Sequence, residues 1–255
     1  MIPQHKGKHS GQAVFEPKAY TDYLKRTGRY PKVKAPEKLI ICFYNQLYKS
    51  IKQNFKVTAM DSDYHKVLLF DEMDRQVGVL GNFGIGAPVA TIYLEELIAL
   101  GVKQVVTVGI AGSLQKQINV GDLVLCNSAL RDEGVSYHYL ESSKYASPSA
   151  ILTGKLRNCL TRKNIAFHEG STWTIDTPFR ETIDEVKAYQ AEGILTVEME
   201  AAALFSVAKF RQIESAALFC VSDSLADFRW NPQFDAKKVK DSLQIILQVA
   251  IEGLL

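Results

Sequence analysis

The chain has 255 residues, of which 47% are hydrophobic and 23% charged, and its formal net charge is +2. Such a chain is long enough to bury a full core, and its near-neutral charge gives no indication of a nucleic-acid partner or a membrane surface. No apolar run reaches the roughly 20 residues that a membrane span requires. The N-terminal stretch MIPQHKGKHSGQ lacks the apolar core of a signal peptide, so we expect a cytoplasmic protein.

The four cysteines are far apart in the sequence, and their spacing fits neither a zinc site nor a disulfide framework. We therefore predict reduced thiols in the core, no metal site and no cofactor. The positions are Cys42, Cys126, Cys159 and Cys220.

Residues 1–35 are polar and basic, with several prolines and glycines, and they predict an N-terminal arm. A short helix is expected at Pro17–Arg26, with Pro17 near its first turn and Gly28 as its stop. We expect this arm to contact a neighbouring subunit in a homo-oligomer, the alternative being a solvated tail. Residues 36–255 are predicted to form one domain.

The first part of that domain predicts a strand, a helix and a strand pair. Lys38–Tyr44 is a continuous apolar run, typical of a parallel strand that is covered on both faces. A helix follows at Asn45–Asn54. The polar turn Asp71–Arg75 separates strands Lys66–Phe70 and Gln76–Leu80, which we expect to pair antiparallel.

Two glycine-bearing turns come next, each at the end of a strand. The first, Gly81–Pro88, opens an apolar helix that ends at Gly101, and the second follows the strand Gln104–Val108. Glycines at such turns let backbone amides approach an anionic ligand at a helix N-terminus. The candidate anion-binding residues are Gly84, Gly86, Gly112 and Ser113.

The second half of the chain continues the alternation of strands and helices, which predicts a single-domain, three-layer α/β/α fold around a central twisted sheet that is mixed but largely parallel. In such folds, sites lie at the carboxyl ends of strands. The expected elements are strands at Leu123–Cys126, within Ile165–Ile175, at Ile194–Val197 and at Ser215–Val221, helices at Ser149–Thr161, Thr182–Gln190, Met199–Phe210 and Asp235–Leu254, and a long loop at Arg131–Tyr139.

The stretch Glu198-Met199-Glu200 lies where a short strand passes into an alanine-rich helix. A carboxylate there is favoured by the helix dipole and lies at the edge of an open sheet, where ligands bind. Taken alone, the pattern is more typical of an acidic helix start before a buried face.

Four stretches, GNFGIGAPVATIYLEELIALG, VTVGIAGSLQKQINVGDLVL, TVEMEAAALF and CVSDS, resemble in order and spacing the nucleoside phosphorylase and nucleosidase superfamily. The likeness covers roughly residues 36–250 and includes purine nucleoside and uridine phosphorylase-like members. It implies an oligomeric enzyme (a dimer, trimer or hexamer) that cleaves the bond between a base and ribose by phosphorolysis, with phosphate as co-substrate.

The resemblance also implies residue roles. Glu200, Met199 and Glu198 would bind the ribose, and Asp223, next to Ser222, would protonate the leaving base, although an Asp there is also a common helix cap. The base would be contacted by Ser222, Trp173, Phe179 and Arg180, with core packing as the alternative for the two aromatic residues.

The chain departs from the family where the acceptor should bind. The first loop reads Tyr44-Asn45-Gln46 and contains neither the family's phosphate-binding arginine nor the glutamate of its nucleosidases. Thr107 stands where the family has a second arginine. The segment Ala59–Glu72, which should supply a third, contains no arginine. Arg131, or Arg26 and Arg29 of the arm, are possible replacements. The alternatives to phosphorolysis are therefore hydrolysis, with a water positioned by Asn45 or Gln46, and nucleoside binding without catalysis.

Overall fold

In the computed structural model, which describes residues 5–64 and 66–255, an eleven-stranded mixed sheet is flanked by seven α-helices. Four short 3-10 turns, at Ser62–Tyr64, Asp71–Met73, Ser136–His138 and Pro178–Arg180, interrupt the loops. The elements in chain order are α1 Pro17–Arg26, β1 Lys38–Cys42, α2 Asn45–Asn54, β2 Val57–Ala59, β3 Val67–Phe70, β4 Val77–Gly81, α3 Ala87–Ala99, β5 Gln104–Ser113, β6 Leu123–Asp132, β7 Tyr145–Ala146, α4 Ala150–Arg162, β8 His168–Ile175, α5 Ile183–Ala191, β9 Thr196–Glu198, α6 Ala201–Arg211, β10 Glu214–Ser224, β11 Asn231–Pro232 and α7 Lys237–Leu254.

The longer strand pairings are parallel, as the apolar runs predict. Strand β1 lies between β4 and β5 and is parallel to both, β5 is parallel to β10, and β6 is parallel to β8. Shorter antiparallel pairings join β10 to β6 and β3 to β4, the latter as expected from the polar turn between them. The predicted mixed, largely parallel sheet is therefore confirmed.

The sheet also closes on itself, which the sequence does not predict. Strand β5 pairs with both β10 and β9, and the path from β10 through β6 and β8 returns to β9. These five strands form a small ring, from which β1, β4, β3 and β2 extend as an open sheet. The expectation that Glu200 lies at an open sheet edge is wrong, because β9 is enclosed between β8 and β5.

Buried side chains form two large clusters on opposite sides of the sheet, as a three-layer fold requires. One contains residues of α2, α4 and α7, such as Ile51, Leu156 and Leu247. The other contains residues of α1 and α3, such as Leu24 and Leu94. Helix α6 contributes to both clusters. A smaller third cluster lies beneath α5.

The segment before β1 packs onto the body of its own chain. Arg211 of α6 donates hydrogen bonds to Glu95 of α3 at 2.7 Å and to Glu16 at 3.0 Å. His9 Nε2 lies 3.0 Å from the carbonyl oxygen of Tyr137. Residues 1–4 of the expected arm lie outside the described residues, and its contact with a neighbouring subunit stays a prediction.

Candidate active site

Glu198 ends β9 and caps the helix that follows. Its Oε2 accepts hydrogen bonds from the backbone N–H groups of Glu200 and Ala201, both at 2.8 Å, and its Oε1 accepts one from the Thr174 hydroxyl at 2.5 Å. These amides have no partner within α6, so the carboxylate satisfies donors that the helix start would otherwise leave bare. The predicted helix start at Met199 moves to Ala201 for this reason.

Glu200 lies between two helix N-termini. It is the N-cap residue of α6, and its Oε1 accepts a hydrogen bond of 2.5 Å from the backbone N–H of Gly86, the N-cap residue of α3. Gly86 has a φ of 102°, a conformation that other residues rarely adopt. The first glycine turn therefore presents its amide to a carboxylate of the same chain.

Burial raises the pKa of both carboxyl groups. The charge of Glu198 adds to burial in raising the pKa of Glu200 to about 8. Burial raises the pKa of Glu198 to about 7, against the opposing effect of the Thr174 hydroxyl and two backbone amides. Burial disfavours the simultaneous ionisation of two adjacent carboxyl groups, so Glu198 and Glu200 titrate as a pair with raised pKa values.

Asp223 follows an irregularity in β10, where the register with β5 shifts between Val221 and Asp223. Its Oδ1 accepts a hydrogen bond from the Ser222 hydroxyl at 2.6 Å, and its Oδ2 accepts one from Trp230 Nε1 at 3.0 Å. The carboxyl group is fixed by these two donors and not by capping a helix, because no helix begins there.

Gly112 lies beside Asp223 in the neighbouring strand. A Cβ atom at position 112 would be 2.8 Å from Leu225 Cδ1 and 3.1 Å from Asp223 Oδ2. The glycine thus allows the two strands' side chains to approach closely. This role differs from the anion-binding turn predicted for it.

Glu198-Met199-Glu200 and Ser222-Asp223 face a single cavity of about 570 Å³. A volume of this size is typical of small-molecule sites. Of the predicted site residues, the cavity brings together Phe179, Glu198, Met199, Glu200, Ser222, Asp223 and Gly112.

The remaining predicted site residues do not line this cavity. Trp173 is fully buried, donates its Nε1–H to Asp132 at 2.9 Å and packs edge-on against Tyr189, so it is a core residue and its predicted base contact is not supported. Ser113 is buried, and its hydroxyl donates to the carbonyl oxygen of Gln115 at 2.9 Å. Arg180 is exposed and, like Gly84 and Ser113, is absent from the cavity wall.

The loop after β1, where an acceptor was expected, is bound to the segment before α7. The Tyr44 hydroxyl donates to the carbonyl oxygen of Phe234 at 3.1 Å, and Gln46 Nε2 donates to Asp235 Oδ1 at 3.1 Å. Gln46 is thus engaged outside the cavity and does not position a water there. The nearby cavity wall is apolar, formed by Phe43, Ile85 and Ile110.

Arg131 is also unavailable to an acceptor. It is buried, and its guanidinium donates to the Ser136 hydroxyl at 2.9 Å, the carbonyl oxygen of Glu141 at 2.7 Å and the Ser143 hydroxyl at 2.7 Å. It organises the loop that follows β6. Arg229 is the one cationic residue among the described residues that line the cavity.

Sequence reasoning missed two groups of lining residues. Glu181 follows Phe179 by two positions and lines the same cavity as Asp223. Phe228, Arg229, Trp230 and Phe234 lie between the predicted strand Ser215–Val221 and the predicted helix Asp235–Leu254, and no site residue was predicted among them. One signal was present: two aromatic residues and an arginine in succession are unusual in a solvated loop.

Among the described helices, none is long and apolar enough to cross a membrane. Within the same residues, no cluster of three or more histidine, cysteine or acidic side chains is arranged to hold a metal ion.

Known proteins resemble this chain in sequence and in fold. The chain is 33% identical over 153 residues to a DeoD-type purine nucleoside phosphorylase of Alkaliphilus metalliredigens (strain QYMF), a match that covers 59% of this chain and 65%, less than two thirds, of that protein. It is 28% identical over 181 residues to the DeoD-type enzyme of Bacillus cytotoxicus, covering 70% of this chain and 75% of the relative.

Among solved structures, uridine phosphorylase from Vibrio fischeri ES114 superposes with a TM-score of 0.73 at 24% identity, covering 87% of this chain and 92% of the other. This likeness shows a shared fold. Residues 40–252 match the sequence profile of the phosphorylase superfamily, which confirms the resemblance carried by the four motifs. The chain belongs to the phosphorylase superfamily.

Proposed function

We propose that this protein cleaves the N-glycosidic bond of a nucleoside, a purine nucleoside or uridine, by phosphorolysis to the free base and ribose 1-phosphate. One observation carries the proposal: Glu198-Met199-Glu200 and Ser222-Asp223 face the same cavity from different strands. The names of the relatives, purine nucleoside phosphorylase and uridine phosphorylase, point to the same reaction.

At one end of the cavity, Glu198 and Glu200 would hold the sugar. A protonated Glu200 can donate to one ribose hydroxyl and accept from another, while Met199 packs against the ring. Glu198 keeps a negative charge near C1′, where positive charge develops as the glycosidic bond breaks. The sugar thus meets a preformed electrostatic environment.

At the other end, Asp223 would protonate the base. The electrons of the C1′–N bond pass to the base nitrogen, and the base accepts a proton from the Asp223 carboxyl group. Ser222 holds Oδ1 of that carboxyl group at 2.6 Å, so its orientation is fixed before substrate binds. Phe179, at the mouth, offers a face on which the base can stack.

The cavity wall offers few donors for a phosphate acceptor. Phosphate is best held by charge-assisted hydrogen-bond donors. One predicted donor, the backbone amide of Gly86, already donates to Glu200. The other predicted phosphate-binding residues are Gly84, Gly112 and Ser113. Arg229 remains as a cationic donor on the wall. The scarcity of cationic groups among the described lining residues favours hydrolysis by water as the second candidate.

We further propose a cytoplasmic homo-oligomer (dimer, trimer or hexamer) that acts in purine salvage, with residues 1–35 as an arm against a neighbouring subunit and residues 36–255 as the catalytic domain. Large apolar side chains around the cavity mouth support the oligomer, since Phe179 is 99% and Ile85 and Trp230 are each 64% exposed. Such a patch is typical of a surface that another chain covers.

Incubating the purified protein with purine and pyrimidine nucleosides, with and without phosphate, tests the proposal. Base release that requires phosphate and yields ribose 1-phosphate is the expected result. Release of free ribose without phosphate would establish hydrolysis instead. If a nucleoside binds stably and no base is released with or without phosphate, the protein is a nucleoside-binding protein without catalysis.

A further inference from the structure

Among the described residues that line the cavity, Glu181 carries the one carboxyl group for which the proposed reaction has no role. It follows the 3-10 turn Pro178–Arg180 and directly precedes Thr182, the N-cap residue of α5. The capping box of α5 is completed by Glu185, whose carboxylate accepts from the Thr182 backbone N–H at 2.9 Å and hydroxyl at 2.6 Å. Glu181 therefore has a fixed backbone and a side chain that capping does not use.

The Glu181 carboxylate is half-buried, and within the described chain no side chain or amide donates a hydrogen bond to it. A half-buried carboxylate without a protein donor remains free to accept a hydrogen bond from water or from a ligand in the cavity. Among charged side chains, Asp223 and then Glu185 contribute most to raising the pKa of Glu181, after burial, because both are acidic. Glu181 and Asp223 both line the cavity, and the charge of Asp223 acts on the Glu181 carboxyl group.

Two neighbouring carboxyl groups suit one edge of a purine. On that edge the ring nitrogen N7 is an acceptor, and the substituent at position 6 is either an amino donor or a carbonyl acceptor. If Asp223 donates its proton to N7, the adjacent group faces the 6-substituent. An ionised carboxylate only accepts hydrogen bonds, so it pairs with an amine and repels a carbonyl oxygen.

We propose that Glu181 selects the base: its carboxylate accepts an N–H from an exocyclic amine, so that the cavity takes a 6-aminopurine nucleoside in preference to the 6-oxopurine counterpart. This inference rests on the proposed nucleoside cleavage and names its substrate class. Glu181 acts on the base edge and takes no part in breaking the glycosidic bond.

The test compares adenine and hypoxanthine binding by calorimetry to the full-length protein and to two variants, Glu181→Gln and Asp184→Asn. Burial, with the charges of Asp223 and Glu185, raises the pKa of Glu181 to about 7, so the titrations are run at about pH 8.5, where the group is ionised. Asp184 is a matched control, because it is three residues away, its side chain is 96% exposed and it is absent from the cavity wall. Melting temperatures of the variants verify that each is folded.

We expect the unmodified protein to bind adenine roughly tenfold or more tightly than hypoxanthine, because an unmatched buried polar group is strongly penalised. In Glu181→Gln this ratio should fall to within roughly threefold, since an amide both donates and accepts. Asp184→Asn should retain the original ratio. The ratio of kcat/KM for adenosine and inosine should move in parallel.

Equal binding of the two bases by the unmodified protein, or an unchanged ratio in Glu181→Gln, overturns the role of Glu181. If nucleosides are nevertheless cleaved, the proposed function survives that result. If neither base binds and no nucleoside is cleaved, both the proposed function and this inference fall.

Discussion

The carboxylate of Glu198 accepts the backbone N–H of Glu200 at 2.8 Å, so the first acidic residue of the motif fixes the position of the second. The same oxygen accepts the N–H of Ala201, and the Thr174 hydroxyl donates to the other oxygen. Glu200, in contrast, accepts from the backbone of Gly86 and directs its carboxyl group to the cavity wall. The two carboxyl groups are therefore not equivalent, and substitutions at the two positions should differ in effect.

Glu200→Gln should lower kcat/KM for nucleoside cleavage by about 10²–10³, the size expected when one electrostatic stabiliser of a developing charge is lost. Steady-state kinetics with the best nucleoside of the panel measures the change. Glu72→Gln, an exposed substitution in the turn Asp71–Met73, is the control and should be silent. An altered melting temperature with unchanged rates would show that Glu200 serves the fold alone.

The free energy of unfolding should fall as pH rises from about 4.5 to about 8. Burial raises the pKa of Glu198 and Glu200 in the folded protein, so the native state keeps a proton that the unfolded chain releases above its ordinary carboxyl pKa. Where the native state binds more protons than the unfolded chain, stability decreases with pH.

Glu200→Gln removes the contribution of Glu200 to this titration and leaves that of Glu198. The variant should therefore melt at a higher temperature than the unmodified protein at about pH 8, and the difference should shrink towards about pH 3.5, where Glu200 is protonated in both the folded and the unfolded protein. Thermal unfolding across this pH range provides the measurement. A constant difference between the two proteins at all pH values would contradict the assigned pKa direction.

Asp223→Asn should slow the cleavage of purine nucleosides more than the cleavage of pyrimidine nucleosides. A purine leaves with a proton on its imidazole ring, which the carboxyl group is proposed to deliver, and loss of a general acid typically costs about 10²–10⁴ in rate. The comparison of kcat for adenosine, inosine and uridine in the variant decides this point. Equal losses for both classes would remove the leaving-base role of Asp223.

Gly112→Ala should destabilise the protein by about 1–3 kcal/mol and reduce activity, because the added methyl group meets Leu225 at 2.8 Å and Asp223 at 3.1 Å. Chemical denaturation measures the first effect and nucleoside cleavage the second. Gly154→Ala in α4 is a matched control, since its added carbon meets nothing closer than 3.9 Å. This control should be neutral or stabilising by up to about 1 kcal/mol, as alanine is the better helix former. Full activity in Gly112→Ala would show that Asp223 tolerates displacement.

The order and type of the main elements follow from local patterns in the sequence. Helices α1 and α2 have the boundaries that were predicted, and the polar turn before β4 correctly predicted an antiparallel pair. Strand β2, at Val57–Ala59, was missed because three residues are too short to show a period. Strand β6 runs on to Asp132, into the expected loop, because its pairing with β8 continues to that point.

Trp173 and Glu181 show why the site was only partly predictable. Both lie in the segment from which the family resemblance implied base contacts, yet the tryptophan is in the core and the glutamate is on the cavity wall. Trp173 lies on β8, where successive side chains point to opposite faces, and the sequence does not state which face the ligand occupies. That choice depends on how β8 is enclosed between β6 and β9. Glu181 lies in the connection between β8 and α5, where no period predicts its direction.

The sequence by itself determined the superfamily, the strand-to-helix passage that carries Glu198-Met199-Glu200, and the position of Asp223 at the end of an apolar strand. These features are local, since strand runs, helix starts and glycine turns are each written in a few neighbouring residues. Only the tertiary structure decided the ring closure through β5, β9 and β10, the use of the Gly86 amide by Glu200, and the presence of Glu181 and Asp223 on the wall of one cavity. These depend on contacts between residues far apart in the chain, whose relative positions are set by strand pairing and core packing and not by any local pattern.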